Sequence, residues 1–265
     1  MQTEFQHSLA YNDWKTIRQK YVQSVDHLLK PYLKKRDRGI KEPIMDFLFE
    51  YYAFRPARLR RWSPGPNVLL KGAVPDDAPD PPHLEFSEDG AFIPFPEFPG
   101  KRISSFQWIT QLLANSLGRP PQLGCNGMHE WAMVYRAENV RHPYLQLRLP
   151  MEKIAEVVEQ NPPICTHFEA FRFFTDKARP LNRWELSRDT MLDFEQPGCL
   201  HTNMDLYKWA FKIYPWIDSQ LIWDAFTLAL EARTMDMQAR PYDMREYGLQ
   251  PIAIETPQGR REYQQ

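Results

Sequence analysis

The sequence predicts a mainly α-helical protein: one compact helical domain with at most a small β element and a proline-rich excursion. Apolar residues recur at spacings of three and four along most of the chain, which is the period of an amphipathic helix. The alternation of apolar and polar residues that is typical of strands is rare. Nine of the 24 prolines fall between Pro64 and Pro99, where they exclude helix.

Seven helices are predicted from this spacing and from helix-start patterns. Thr166 with Glu169, and Thr202 with Asp205, have the spacing of a capping box. Asp218 is a suitable N-cap for the long apolar segment that follows it. The predicted helices cover residues 12–33, 43–54, 105–117 and 151–160, then a helix from Thr166 through Phe174, one over 206–214 after Thr202, and one from Asp218 to near Met237.

Only two segments alternate like strands, so any sheet is expected to be small. They are LQLRL at residues 145–149 and PIAIE at residues 251–255.

Charge divides the chain into three regions. Ten Lys and Arg against four acids lie between Lys30 and Arg61, and such a basic stretch attracts phosphate. We therefore expect a basic helical region at 1–63, an acidic proline-rich loop or linker at 64–100, and a helical core at 101–265 that forms one domain with the first region.

Composition excludes several classes of protein. The chain has 265 residues, 43% hydrophobic and 25% charged, which is typical of a globular protein rather than of a disulfide-stapled miniprotein. It has no run of about 18 apolar residues and no signal-peptide pattern at its start. Three cysteines cannot all pair within one chain. We expect a cytoplasmic protein with free thiols and no membrane partner.

Every cysteine is followed closely by a histidine. The pairs are Cys125/His129, Cys165/His167 and Cys199/His201. Thiolate and imidazole are the ligands that zinc and similar metals prefer, and an open coordination position would make such a site catalytic. The side chains predicted to bind zinc or iron are His129, His167, His201, Cys165 and Cys199.

The same residues allow other interpretations. Cys165 and Cys199 precede the two capping patterns, where helix dipoles lower a thiol pKa or favour an anion. His201 and Asp205 are four residues apart and would share one helix face, either as metal ligands or as part of a solvated face. Buried packing is the simplest role for each cysteine and for His167.

Carboxylates, aromatic rings and arginines also lie together in two segments. These are FEYYAFRPARLRRW at residues 49–62 and the sequence His129-Glu130-Trp131. Rings that stack on a base, arginines that contact phosphates and a carboxylate that activates water are what base excision requires. The candidate carboxylates are Glu50, Glu130, Asp205 and Asp243.

Segments spread over almost the whole chain from Asp46 onward resemble a known family. They are DFLFEYYAFRPARLRRWSPGP, GMHEWAMVYR, VRHPYLQLRLP, CTHFEAFRFFT, EQPGCLHTNMDLYKWAFK, PYDM and PIAIETPQGRREY. Together they resemble a bacterial family commonly labelled 3-methyladenine DNA glycosylase. The resemblance implies a hydrolase that excises alkylated purines from damaged DNA during repair and requires no cofactor. It assigns no catalytic residue.

Under this first hypothesis, residues of those segments form the site. Asp205, Glu130 and His201 are the predicted catalytic residues, and Arg58, Arg60 and Arg61 are predicted to contact the DNA backbone. The predicted substrate contacts are Glu50, Tyr51, Arg55, Trp131, Arg172, Asn203, Lys208, Tyr242 and Asp243. The alternative hypothesis is a zinc or non-haem iron enzyme that acts on a small molecule through a His/Cys/Asp site.

Overall fold

Eleven α-helices are present in the part of the chain that the computed structural model describes, which comprises residues 5, 7–79, 81–95, 100–140 and 142–265, except for the side chain of Lys101. They are α1 (Tyr11–Asp37), α2 (Pro43–Asp46), α3 (Pro56–Leu59), α4 (Gly100–Leu117), α5 (Met128–Ala132), α6 (Met151–Gln160), α7 (Phe168–Phe171), α8 (Met191–Phe194), α9 (Leu200–Ile213), α10 (Ser219–Ala239) and α11 (Pro257–Tyr263). The predicted mainly α fold is therefore confirmed.

The fold contains a small four-stranded sheet. Its strands are β1 (His7–Leu9), β2 (Val68–Lys71), β3 (Glu85–Ser87) and β4 (Gly90–Phe92), in the order β1-β2-β4-β3. β1 pairs with β2 in parallel, with Ser8 opposite Leu69, and the other neighbours are antiparallel. Gly90 has φ +148, and a Cβ atom there would lie 2.0 Å from the carbonyl oxygen of Leu70. Only glycine allows β4 to approach β2 this closely.

The sequence placed the strands wrongly. Three of the four lie in the proline-rich segment expected to be a loop, because β2 is too short and too uniformly buried to show alternation. Residues 145–149 form only an isolated bridge, from Leu147 to Tyr242. Residues 251–255 form no strand, and Ile252 and Ile254 alternate because both pack into the interior. Residues 96–99, the end of the predicted loop, lie outside the described residues.

The N-terminal helices follow the predicted periodicity. α1 buries a stripe of side chains at helical spacing, namely Trp14, Tyr21, Val25, Leu29 and Tyr32. The predicted helix over 43–54 is shorter and irregular, because a π-helical turn over Phe47–Tyr51 follows α2. The side chain of Glu42 accepts a hydrogen bond of 3.0 Å from the amide of Met45 and caps α2.

One of the three proposed helix starts is confirmed. Oδ1 of Asp218 accepts a 2.8 Å hydrogen bond from the amide of Gln220 and caps α10. Thr166 does not cap α7: its hydroxyl lies 3.3 Å from Nε2 of Gln196, and His167 is the N-cap residue instead. Thr202 lies inside the first turn of α9, which begins at Leu200.

The chain forms two compact units, each built from two stretches. The first comprises Met1–Phe106 and Leu206–Leu230, and the second comprises Gln107–Asp205 and Glu231–Gln265. Neither unit coincides with one of the three regions that charge predicts. No helix in the described residues has the length and apolar character needed to cross a membrane.

Candidate metal centre

His129 lies on α5 of the second unit, and both of its ring nitrogens have partners. Nδ1 lies 3.3 Å from Sγ of Cys125, one helical turn earlier, and Nε2 lies 2.8 Å from Oδ1 of Asp236 on α10. Gly127, with φ +75, is the N-cap residue of α5 and lies between the cysteine and the histidine in the chain. The left-handed glycine allows the chain to turn into the helix immediately after Cys125.

His201, near the start of α9, completes a first set of possible metal ligands with His129 and Asp236. One ligand atom from each side chain lies within 4.8 Å of the other two. His129 and Asp236 are buried and His201 is half-buried. Two imidazoles and one carboxylate are the ligand combination of many non-haem iron sites, and zinc takes the same ligand types.

The pKa values in this set differ in direction. Burial lowers the pKa of His129, but the neighbouring Cys125 and Asp236 outweigh burial and raise it well above its usual value. Burial opposes ionisation of Asp236, but His129 and Arg233 hold its pKa below the usual range. Burial and the charge of His129 lower the pKa of His201 well below its usual value, so His201 is neutral and has a lone pair for a metal.

A second set lies deeper in the same unit and comprises His167, Glu195 and Asp205. Nε2 of His167 lies 3.3 Å from Oδ2 of Asp205 and 3.5 Å from Oε1 of Glu195. All three side chains are at most 2% exposed. His167 is the N-cap residue of α7, Glu195 directly follows α8, and Asp205 lies on α9 one turn after His201.

The two sets are neighbours because His201 lies between them. Its ring centroid is 4.6 Å from that of His129 and 5.4 Å from that of His167. The three Cys/His pairs of the sequence therefore converge in space. Asp205 is buried, so the alternative in which it belongs to a solvated helix face is wrong.

A pocket of about 240 Å³ opens onto the first set, and its lining includes His129 and His201. All three cysteines also line it. Among the described residues that line it there is no Lys, Arg, Asp or Glu; the polar side chains are amides, hydroxyls, thiols and the two imidazoles. The pocket is smaller than the 300–1,000 Å³ that is usual for drug-sized ligands.

The thiols differ in their surroundings. Burial raises the pKa of Cys199 to about 11 and the pKa of Cys165 well above its usual value. Burial opposes the ionisation of Cys125 as well, but His129 outweighs it and lowers the pKa of this thiol. In the described residues neither Cys165 nor Cys199 joins a set of three ligands, so their predicted role as ligands stays a prediction.

Glu130, a predicted catalytic residue, lies in a buried ionic network. Oε2 of Glu130 lies 3.0 Å from Arg240, and Oε1 lies 3.5 Å from Arg233. Arg233 also binds Asp236. Glu130 thereby fixes the arginine that binds the carboxylate of Asp236, and its role as a base stays a prediction.

The other predicted substrate contacts of the second unit vary in position. Asn203 lines the pocket, and its amide donates 2.8 Å hydrogen bonds to the carbonyls of Pro197 and Cys199. Trp131 is fully buried, and its indole donates to the carbonyl of Ala239. The remaining three do not line the pocket: Arg172 is paired with Glu169, Tyr242 is buried, and Asp243 is paired with Arg245.

The rest of the predicted contacts belong to the first unit. They are Glu50, Tyr51, Arg55, Lys208, Arg58, Arg60 and Arg61. Arg60 forms a bidentate ion pair with Asp26, in which Nε lies 2.6 Å from Oδ1 and Nη2 lies 3.0 Å from Oδ2. The guanidinium of Arg58 lies 5.3 Å from the ring centroid of Phe211, and Tyr51 stacks on Phe47 at 4.8 Å.

Sequence reasoning paired Cys125 with His129 but missed Asp236 and Glu195 as members of the two possible ligand sets. Asp236 is a single acid between Met235 and Met237 in an apolar helix, and this is the one local sign of a buried carboxylate. Glu195 follows a short helix and precedes a proline-glycine turn, where an acid is ordinary.

Comparison with protein-family models, curated proteins and solved structures found no match to this chain.

Proposed function

We propose that this protein is a metal-dependent enzyme that acts on a small molecule at the pocket beside His129, His201 and Asp236. The observation that carries the proposal is the convergence of these three side chains from α5, α9 and α10, since two of them, His129 and His201, line the pocket. A catalytic metal site has few protein ligands and keeps positions open for water or substrate. Three ligands beside a pocket meet that description.

The ligand spacing suits a single ion. Ligand atoms about 2.1 Å from one ion and 2.8 Å apart, as Nε2 of His129 and Oδ1 of Asp236 are, subtend about 85° at that ion. This is close to the right angle of an octahedral site, the geometry in which iron leaves several positions open.

The neighbouring residues orient these ligands. Cys125 contacts the second nitrogen of His129, and Arg233 binds the carboxylate of Asp236. Partners of this kind fix the ring orientation and the charge of a ligand. A bound zinc or iron ion would polarise a water molecule or a substrate oxygen.

The pocket restricts the substrate. Its amide groups, including that of Gln196, and its thiols suit an uncharged or weakly polar molecule smaller than a typical drug.

The DNA glycosylase hypothesis stays an expectation from the resemblance. The contacts of its predicted residues do not favour it. Glu130 is held by two arginines, and Arg60 by Asp26. Base excision is therefore one outcome of the test that follows.

The test is elemental analysis of protein purified without an affinity tag and without added metal. We expect zinc or iron in the wild type, its loss from the first set in His201→Ala, and its retention in His27→Ala, a matched change at an exposed histidine of α1. The proposal is overturned if the wild type contains no metal, or if the two variants contain equal amounts of metal. Release of 3-methyladenine from alkylated duplex DNA by metal-free protein would then support the glycosylase hypothesis.

A further inference from the structure

We propose that His167, Glu195 and Asp205 bind a second divalent metal ion, so that the protein contains a two-metal centre; the inference rests on the proposed function for the first ion. The three side chains come from three different parts of the chain and meet in the interior. One ligand atom from each lies within 4.8 Å of the others.

The distances in this set suit coordination. Nε2 of His167 lies 3.3 Å from Asp205 and 3.5 Å from Glu195. Ligand atoms about 2.1 Å from a common ion and separated by these distances subtend about 105–115° at it, near the tetrahedral angle. The three side chains are thus spaced as ligands of one ion are.

The carboxylates of the second set are buried, and their burial favours a bound cation. Two carboxylates that approach one another in a dry interior repel each other, and a divalent cation between them replaces that repulsion with attraction. Glu195 and Asp205 are 1% and 2% exposed. Nδ1 of His167 is also buried and has no hydrogen-bond partner among the described residues, and such atoms in folded proteins are commonly satisfied by a bound ion or water.

The neighbouring residues hold two of these ligands in place. Thr166 and Gln196 directly flank His167 and Glu195, and their side chains lie 3.3 Å apart. Oε1 of Gln196 also accepts hydrogen bonds of 2.8 and 2.7 Å from the amides of Gln122 and Gly198. Since both anchors adjoin ligand residues, they restrict the positions of His167 and Glu195 in the fold.

The position beside the first set gives the second ion a chemical role. His201 contacts the rings of both His129 and His167. A second buried cation beside the first would add positive charge next to His201. His129 and His201 of the first set line the pocket, whereas His167, Glu195 and Asp205 do not. The second ion would therefore act on a bound substrate through the first set and not by direct contact.

The experiment is a titration of the chelator-treated full chain with Co²⁺, followed by absorption spectroscopy and by metal analysis after removal of free ion. We expect two equivalents in the wild type, one in His167→Ala, one in Asp236→Asn, and two in His27→Ala. Asp205→Asn, which keeps the shape of the side chain, should also retain one equivalent. Circular dichroism checks that each variant folds.

The outcomes separate this inference from the proposed function. One equivalent in the wild type that persists in His167→Ala and is lost in Asp236→Asn overturns the second site and leaves the first intact. No binding by the wild type overturns both. Two equivalents in Asp205→Asn and His167→Ala also overturn the second site. If neither of these variants folds, the stoichiometry of the wild type decides: one equivalent refutes the inference and two support it.

Discussion

Nε2 of His129 lies 2.8 Å from Oδ1 of Asp236, although 107 residues separate them in the chain. Both side chains are buried, at 3% and 0% exposure, and the contact joins α5 to α10. A buried ion pair contributes little net stability unless further contacts satisfy it, and Arg233 and Cys125 supply those contacts here. The fold therefore holds an imidazole and a carboxylate, two side chains of the kind that bind metals, in fixed positions, and His129 also lines the pocket.

Asp236→Asn should abolish binding of the first ion and destabilise the metal-free protein by about 3 kcal/mol, because it leaves Arg233 buried without one of its carboxylate partners. Asp193→Asn, at an exposed carboxylate of α8, is the matched control and should change neither property. Metal analysis and urea unfolding in the presence of chelator measure the two effects separately. Equal metal binding by the two variants would remove Asp236 from the site.

Cys125→Ala should weaken metal binding at the first set about tenfold or more, because His129 loses the partner that orients its ring. Cys125→Ser, which can still hydrogen-bond Nδ1, should lose less. Affinity is measured by competition with a chromogenic chelator.

Cys199→Ser is the control for Cys125, since Cys199 also lines the pocket. We expect wild-type affinity in this variant. Equal losses in Cys199→Ser and Cys125→Ala would show that the thiols act through the pocket in general and not through His129.

The sequence predicted individual residues of this site, but it did not predict how they come together in the fold. Each Cys/His pair is local, and α9 carries His201 and Asp205 with the predicted spacing of four. That the pairs converge depends on packing among helices far apart in the chain, which no local pattern contains. Asp236 was missed for the same reason, since only its contact with His129 distinguishes it from any other helical acid.

The fold, too, could be predicted from the sequence only in part. Long helices such as α6, which matches its predicted bounds, have enough turns for the period to be visible. β2 has four residues, three of them buried, and its pairing with β1 joins segments about 60 residues apart. A strand this short shows no alternation, and its position among prolines indicated a loop.

Asp77 should make the stability of the protein depend on acid pH. Hydrogen bonds from Lys15, at 2.8 Å, and from Tyr11 lower the pKa of Asp77 from 3.8 to about 2. A carboxyl group with a lowered folded-state pKa stabilises the fold above its unfolded pKa, and this contribution is lost as the pH falls through about 4 to about 2.

Asp77→Asn should therefore flatten the dependence of the unfolding free energy on pH in that range. Asp76→Asn, at the exposed neighbouring residue, should keep the slope of the wild type. The measurement is urea unfolding at a series of pH values. A slope in Asp77→Asn as steep as in Asp76→Asn would contradict the assignment.

Gly127→Ala should reduce both stability and metal affinity. Gly127 has φ +75, and a Cβ atom there would lie 2.8 Å from Cβ of Ala239 on α10. The substitution therefore adds backbone strain and forces α5 away from α10, the helices that carry His129 and Asp236. We expect a loss of about 2–3 kcal/mol in the free energy of unfolding and weaker binding of Co²⁺.

Gly39→Ala is the matched control, because Gly39 has φ +70 and nothing lies within 4 Å of the added Cβ atom. It should lose about 1 kcal/mol to strain and bind Co²⁺ as the wild type does. Unfolding in chelator gives the stability of both variants, and chelator competition gives their affinities. Equal affinity in the two variants would mean that the approach of α5 to α10 does not set the ligand spacing. Backbone strain alone would then account for the loss of stability in Gly127→Ala.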